Sequence, residues 1–319
     1  MIELYPVTKP HAQGMLDVGD GNQVYWEACG NPEGKPAVVV HGGPGSGCRP
    51  GQGRTFDPER YRIVLFDQRG CGRSRPHAGD LATDMRHNTT AHLIADMELL
   101  REHLGIDRWL LYGYSWGSTL SLAYAQRYPE RVSEIVISGV TTCRKAEIDW
   151  LYRGAGRFFP EQWERFLAGA SGTPRDGDIV AAYARLTEDP DLAVRERATA
   201  DWCAWEDAVL SGETDGAAVF GAGRPPAARL ALVRICAHYF ANDAWLDDGV
   251  LLREAYRLAG IPGVLIHGRL DLSCPLDTAW QLARAWPGAE LTVIEDAGHL
   301  GNDAEVDLVI QTLNRFAAP

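Results

Sequence analysis

Much is missing from this 319-residue chain, and each absence removes a class of function. No run of five Lys or Arg occurs, and the net charge is −12, so the chain repels phosphate backbones and is not expected to bind nucleic acid. Seven cysteines sit far apart at positions 29, 48, 71, 143, 203, 236 and 274. Their odd number, without CxxC or a Cys/His ladder, indicates neither a disulfide framework nor a structural zinc site. HExxH is absent and the nine His are scattered, so no metal or other cofactor is expected. No apolar stretch reaches eighteen residues, so no membrane span is expected. The opening MIELYPVTKPHAQG has neither a charged n-region nor an apolar h-region, so the expected location is cytoplasmic. What is present is ordinary globular material, 45% hydrophobic and 23% charged. The length suits one large α/β domain with an insertion. The expected partner is a small peptide or small-molecule substrate, and the expected assembly is a monomer or small homo-oligomer.

Short apolar runs alternate with helical patterns. Residues 23–30, 37–43, 61–70, 108–115, 134–140, 263–271 and 290–299 read as strands running into turns. Most are continuously apolar, as in a parallel sheet buried on both faces. Residues 88–105 and 116–130 read as helices; Leu93, Ile94, Met97, Leu100 and Leu104 form the apolar stripe of the first, and Gly105 stops it. This alternation predicts an α/β fold with right-handed crossovers. Between about 141 and 258 the strand rhythm stops. The segment is rich in Trp, Arg and Glu and helical in pattern, which predicts a cap over the strand ends. The expected division is a core of 1–140 and 259–319 with a helical cap of 141–258.

The strongest local signal is Gly113-Tyr114-Ser115-Trp116-Gly117, placed after a predicted strand and opening a predicted helix. A GxSxG pattern arises by chance about 0.1 times at this composition. The strand–turn–helix setting is what a nucleophile elbow requires. A serine hydroxyl is a weak nucleophile and needs a base held by a third group. Asp271 and His299 each follow a predicted strand, in the chain order Ser, Asp, His found in α/β-hydrolases. His299 would take the proton from Ser115, and Asp271 would orient the imidazole. Asp277 and Asp296 are rival acids, but neither follows a strand directly. For the oxyanion, the N–H of Trp116 and that of Gly43, in the glycine-rich His41–Gly47 loop, are the expected donors. That loop fits neither GxGxxG nor GxxxxGK[ST], so a nucleotide site is disfavoured.

Taken together, HGGPGSG (41–47), DQRGCGRS (67–74), NTT (88–90), GYSWGSTLSLAYAQRYPERV (113–132), DW (149–150), Trp202-Cys203-Ala204-Trp205-Glu206, HYF (238–240), IPGVLIHGRLDLSCPLDTAW (261–280) and AGH (297–299) resemble the prolyl iminopeptidase family, nearly end to end. The resemblance implies an α/β-hydrolase fold, with a mostly parallel eight-stranded sheet and an inserted helical cap. It also implies release of an N-terminal proline through an acyl-enzyme on Ser115. It places substrate recognition at Glu206, Trp205, Tyr239 and the positions of Cys236 and Thr141. Glu206 matches one carboxylate that holds the substrate's amino group. Cys236 stands where a second carboxylate is expected, Thr141 where an aromatic residue is usual, and Tyr114 where glycine is usual.

Those departures leave an alternative: a biosynthetic tailoring hydrolase acting on an ester, lactone, amide or bulky intermediate. A non-catalytic binding protein on a dead scaffold is the third class, and the complete Ser-Asp-His set argues against it.

Overall fold

The computed structural model describes residues 4–49, 51–170, 172–174 and 177–317. In chain order the elements are β1 (Ala12–Gly19), β2 (Asn22–Gly30), β3 (Lys35–Val40), β4 (Tyr61–Phe66), α1 (Thr90–His103), β5 (Trp109–Tyr114), α2 (Trp116–Arg127) and β6 (Val132–Ser138). Then follow α3 (Lys145–Tyr152), α4 (Pro160–Gly169), α5 (Ile179–Leu186), α6 (Leu192–Val209), α7 (Pro226–Phe240) and α8 (Val250–Arg253). The chain returns to the sheet with β7 (Gly263–Gly268), α9 (Leu276–Ala285), β8 (Ala289–Ile294) and α10 (Asp303–Phe316).

The eight strands form one sheet in the order β1-β2-β4-β3-β5-β6-β7-β8. From β4 to β8 every neighbour pairs parallel, and β1 and β2 add an antiparallel edge. The apolar runs explain the middle of the sheet. Val38–Val40, Leu110–Leu111, Ile135–Ile137 and Val264–Ile266 are buried on both faces. Leu93, Met97 and Leu100 of α1, Leu120 of α2 and Leu282 of α9 cover one face, whereas Val309 and Leu313 of α10 cover the other.

β1 is the strand that the apolar-run reading misses. It alternates between exposed and covered positions, the latter half-buried except for the buried Val18, so it has no apolar run. Its turn into β2 puts Asp20 and Gly21 at φ 54° and 72°, the two-residue arrangement that suits an Asp-Gly hairpin.

Between β6 and β7 the described residues are helical, as expected from the break in strand rhythm. A separate apolar cluster there contains Tyr152, Trp163, Phe166, Tyr183, Trp202 and Trp205. The boundary with the sheet is not sharp. Ile235 and Tyr239 of α7, and Ala244, Leu251, Ala255 and Leu258 beyond it, pack into the cluster of the sheet and its helices. Arg234 fastens the insertion from inside. Its guanidinium donates to the carbonyls of Ala78 and Asp80 (2.9 and 2.8 Å) and Thr83 (3.0 Å), and it pairs with Glu188 at 2.6 Å.

The parallel strands deliver their following loops to one edge, where open α/β sheets bind ligands. The loop after β3 carries Gly43, that after β5 Ser115, that after β7 Asp271 and that after β8 His299.

Candidate active site

Ser115 sits at φ 55° and ψ −126° between β5 and α2, a conformation costly for a residue with a Cβ. The flanking glycines make it possible. A Cβ on Gly113 would overlap the Gly117 carbonyl, and one on Gly117 would overlap the Val40 carbonyl. Strand, elbow and helix therefore approach more closely than side chains allow.

The elements bring Ser115, His299 and Asp271 together. Nε2 of His299 lies 3.2 Å from Ser115 Oγ, and Nδ1 lies 2.9 Å from Asp271 Oδ2. Asp271 is buried, and its other oxygen accepts the Cys274 N–H at 2.7 Å. Behind it, His267 Nδ1 accepts the Val140 N–H at 3.0 Å, so Nε2 carries the proton and donates to the Cys274 carbonyl at 2.7 Å. Burial lowers the His267 pKa, consistent with a neutral ring. His299 behaves oppositely. Burial pulls its pKa down, but the Asp271 carboxylate paired with Nδ1 raises it well above the ordinary 6.5. The rival acids lie elsewhere: Asp277 accepts from Gln281 and Asp296 from Asn302, both in exposed pairs.

The His41–Gly47 loop lies against the elbow. A Cβ on Gly42 would stand 3.0 Å from the Tyr114 carbonyl and 3.4 Å from Ser115 Cβ. Gln68 ties the parts together, donating to the His41 carbonyl at 3.0 Å and accepting from Trp116 Nε1 at 2.9 Å. The backbone N–H groups of Gly43 and Trp116 find no acceptor among the described residues, and both residues line the cavity beside Ser115. Donors so left open can receive an oxyanion.

That cavity has a volume of about 290 Å³. Glu206 of α6 forms part of its wall, with Oε1 accepting the Tyr152 hydroxyl at 2.7 Å. Burial pushes Glu206 up to about 7, against the lowering effect of that hydrogen bond. Thr141 also lines the cavity. Cys236, Trp205 and Tyr239 do not. The Cys236 thiol is fully buried and donates to the Pro44 carbonyl at 3.2 Å, behind the glycine loop. Trp205 stacks on Phe166 inside the insertion, and the Tyr239 hydroxyl donates to Asn88 Oδ1 at 2.8 Å. Both rings are packing residues whose sequence neighbours, not themselves, reach the cavity.

Sequence reading singled out neither Glu147 nor Cys274, both of which line the cavity. Glu147 of α3 contributes a second buried carboxylate to the wall, but it is already engaged. It accepts from the hydroxyls of Thr141 (3.1 Å), Thr142 (2.6 Å) and Thr278 (3.0 Å) and pairs with Arg144 at 3.2 Å. Cys274 and Cys143 are cavity thiols, pushed by burial up to about 11 and about 12, so neither is a thiolate near neutrality.

Among the described residues, two groups bring three metal-capable side chains within reach. One is Asp271, Cys274 and His299, whose acid and base already pair. The other is Asp20, His87 and His92, where the Arg69 guanidinium stands 3.7 Å from the same Asp20 oxygen. No helix among the described residues is long and apolar enough to cross a membrane.

Sheet order, elbow and convergent loops define an α/β hydrolase, and the model of the alpha/beta hydrolase fold family matches residues 35–305. Comparison with curated proteins narrows this. A probable proline iminopeptidase of Streptomyces coelicolor is 50% identical, covering 99% of this chain and 98% of its own length. The proline iminopeptidase of Xylella fastidiosa is 48% identical over 99% of this chain and all of its own. This chain belongs to the proline iminopeptidase family. The crystal structure of the Mycobacterium smegmatis proline iminopeptidase shares the fold, with a TM-score of 0.58 at 18% identity and 96% of this chain covered. Relatives this similar along the whole length do not favour the tailoring-enzyme alternative raised by Cys236 and Thr141.

Proposed function

We propose that this protein is a serine aminopeptidase that releases proline from the N-terminus of short peptides. The observation that carries the reading is the Asp271–His299–Ser115 chain on the wall of a cavity that also holds a buried carboxylate, Glu206. Ser115 Oγ attacks the carbonyl carbon of the N-terminal residue while His299 Nε2 takes its proton. The negative charge on the carbonyl oxygen is met by the N–H groups of Gly43 and Trp116. His299 then protonates the leaving amine, and water, deprotonated by the same imidazole, hydrolyses the acyl-enzyme. Asp271 orients the ring and stabilises the imidazolium.

Glu206 receives the substrate's secondary ammonium. Binding that cation returns a carboxyl that burial holds near 7 to its ionised form. Leu151, Tyr152 and Phe240 supply the apolar wall for the pyrrolidine ring. The insertion, read as a cap over residues 141–258, closes the cavity around one N-terminal residue. Thr141 and Cys236 act indirectly in this reading, through Glu147 and the Pro44 carbonyl.

Wild-type protein should hydrolyse a prolyl anilide and react with a fluorophosphonate, and Ser115→Ala should abolish both. Folded wild type that is labelled by the phosphonate yet leaves the prolyl anilide intact would remove the proline reading.

A further inference from the structure

Two residues outside the Ser–His–Asp chain, Glu213 and Tyr114, hold the His299 loop. Glu213 ends the short 3₁₀ turn Ser211–Glu213 that follows α6. Its Oε1 accepts the N–H of His299 at 2.8 Å and its Oε2 the N–H of Leu300 at 2.7 Å. The approach is so close that a Cβ on Gly298 would overlap the Glu213 carboxylate. From the other side, the Tyr114 hydroxyl donates to the His299 carbonyl, and its ring lies 5.2 Å from the imidazole. The His299 residue is thus held at its N–H by the inserted helical segment and at its C=O by the neighbour of the nucleophile.

Before the histidine the loop is held by the Leu270 N–H, which donates to the Ala297 carbonyl at 2.9 Å; at His299 and Leu300 the two N–H groups are taken by Glu213. Gly298 and Gly301 flank the segment, and the turn bonds at its ends are long, 3.4 Å from Ala297 N–H to Ile294 and 3.3 Å from Gly301 N–H to Gly298. The ring itself is tied at Nδ1 to the Asp271 carboxylate. Misplacing a reacting group by about 1 Å costs on the order of 10²-fold in rate.

We propose that Glu213 and Tyr114 act as a clamp on the His299 backbone, so that the helical insertion is a positioning element for the base and not only a roof over the substrate. The proposal rests on the reading of Ser115 as nucleophile and His299 as base. Glu213 and Tyr114 are positioning residues: they touch no reacting atom and act through the peptide groups of the loop. Charge-assisted bonds to backbone N–H groups are stronger than neutral ones, which makes the carboxylate the firmer half of the clamp.

The test uses the full chain with Glu213→Ala, Glu213→Gln, Tyr114→Phe and the Ala/Phe double variant. Active sites are titrated with a fluorophosphonate, and kcat and KM are measured on a prolyl anilide and on a small ester. Glu213→Ala should slow labelling and kcat per titrated site by about ten- to a hundredfold, with KM within about threefold. Glu213→Gln should fall between, because its amide keeps one acceptor and turns an NH₂ toward the other N–H. The double variant should lose less than the product of the single losses, since both act on one residue.

A purely structural role would lower Tm and the titratable fraction and leave kcat per site alone. Values within about twofold of wild type in the Gln and Phe variants would overturn the clamp, even if the Ala variant does not fold. Phosphonate labelling needs no proline. If wild type is labelled but inert to the prolyl anilide, the substrate reading fails while labelling rates still decide the clamp. Wild type that resists labelling would overturn both.

Discussion

Glu206 carries the sharpest conflict between stability and the proposed chemistry. Its pKa is raised from an ordinary 4.5 to about 7, so the stability it contributes is complete below 4.5 and is lost as pH rises through 7. Above pH 8 the loss corresponds to roughly 3 kcal/mol. Glu206→Gln should therefore be neutral to the fold at pH 4 and stabilise it at pH 8, as read by denaturant midpoints. The same change should raise KM for a prolyl substrate by about ten- to a hundredfold, because a charge-assisted bond of roughly 1.5–3 kcal/mol is lost. The acid limb of kcat reports His299 instead. Since the Asp271 carboxylate holds that ring above 6.5 despite burial, the limb should lie above pH 6.5 and persist in Glu206→Gln. A limb below pH 6 would contradict this assignment. At this scale the sequence named Ser115, Asp271 and His299, which the structure brings into contact, because an elbow motif and a fixed chain order connect them. Nothing in spacing links Glu213 to a residue 86 positions away, or marks Glu147 as more than the carboxylate of a helix capping box.

Among the elements, the β5–Ser115–α2 junction sets the tightest steric demand. A methyl on Gly117 would meet the Val40 carbonyl, a backbone atom that cannot rotate away. Gly117→Ala should cost roughly 1–3 kcal/mol of stability and lower kcat more than KM, since the shift moves both Ser115 and the Trp116 N–H. Unchanged kcat in a fully folded variant would show that the junction tolerates displacement. The parallel strands were legible because burial on both faces leaves an unbroken apolar run. Helix α2 was legible because the elbow fixes its start, and its predicted end overran to the turn at Pro129–Arg131. Only β1 escaped the apolar-run criterion, since an exposed edge strand shows no run, although Asp20-Gly21 is the kind of turn that announces a hairpin.

For the molecule as a whole, the question is how the inserted helices are fixed to the sheet. Arg234 lies almost fully buried between them and serves three carbonyls of the 78–83 loop besides Glu188. Arg234→Ala strands those carbonyls and should cost roughly 3 kcal/mol. Limited proteolysis of the variant should then cut first within 145–258; cleavage spread evenly along the chain would deny Arg234 that anchoring part. The insertion as such was legible from the interrupted strand rhythm. Its shared packing with the sheet was not, because Ala244, Leu251 and Leu258 look alike in sequence whichever cluster they join. The Glu213 carboxylate on the His299 and Leu300 amides has a consequence for anyone redesigning this enzyme. A foreign lid grafted onto the scaffold to change its diet would disarm the chemistry unless the graft brought its own acceptor to the same two amides.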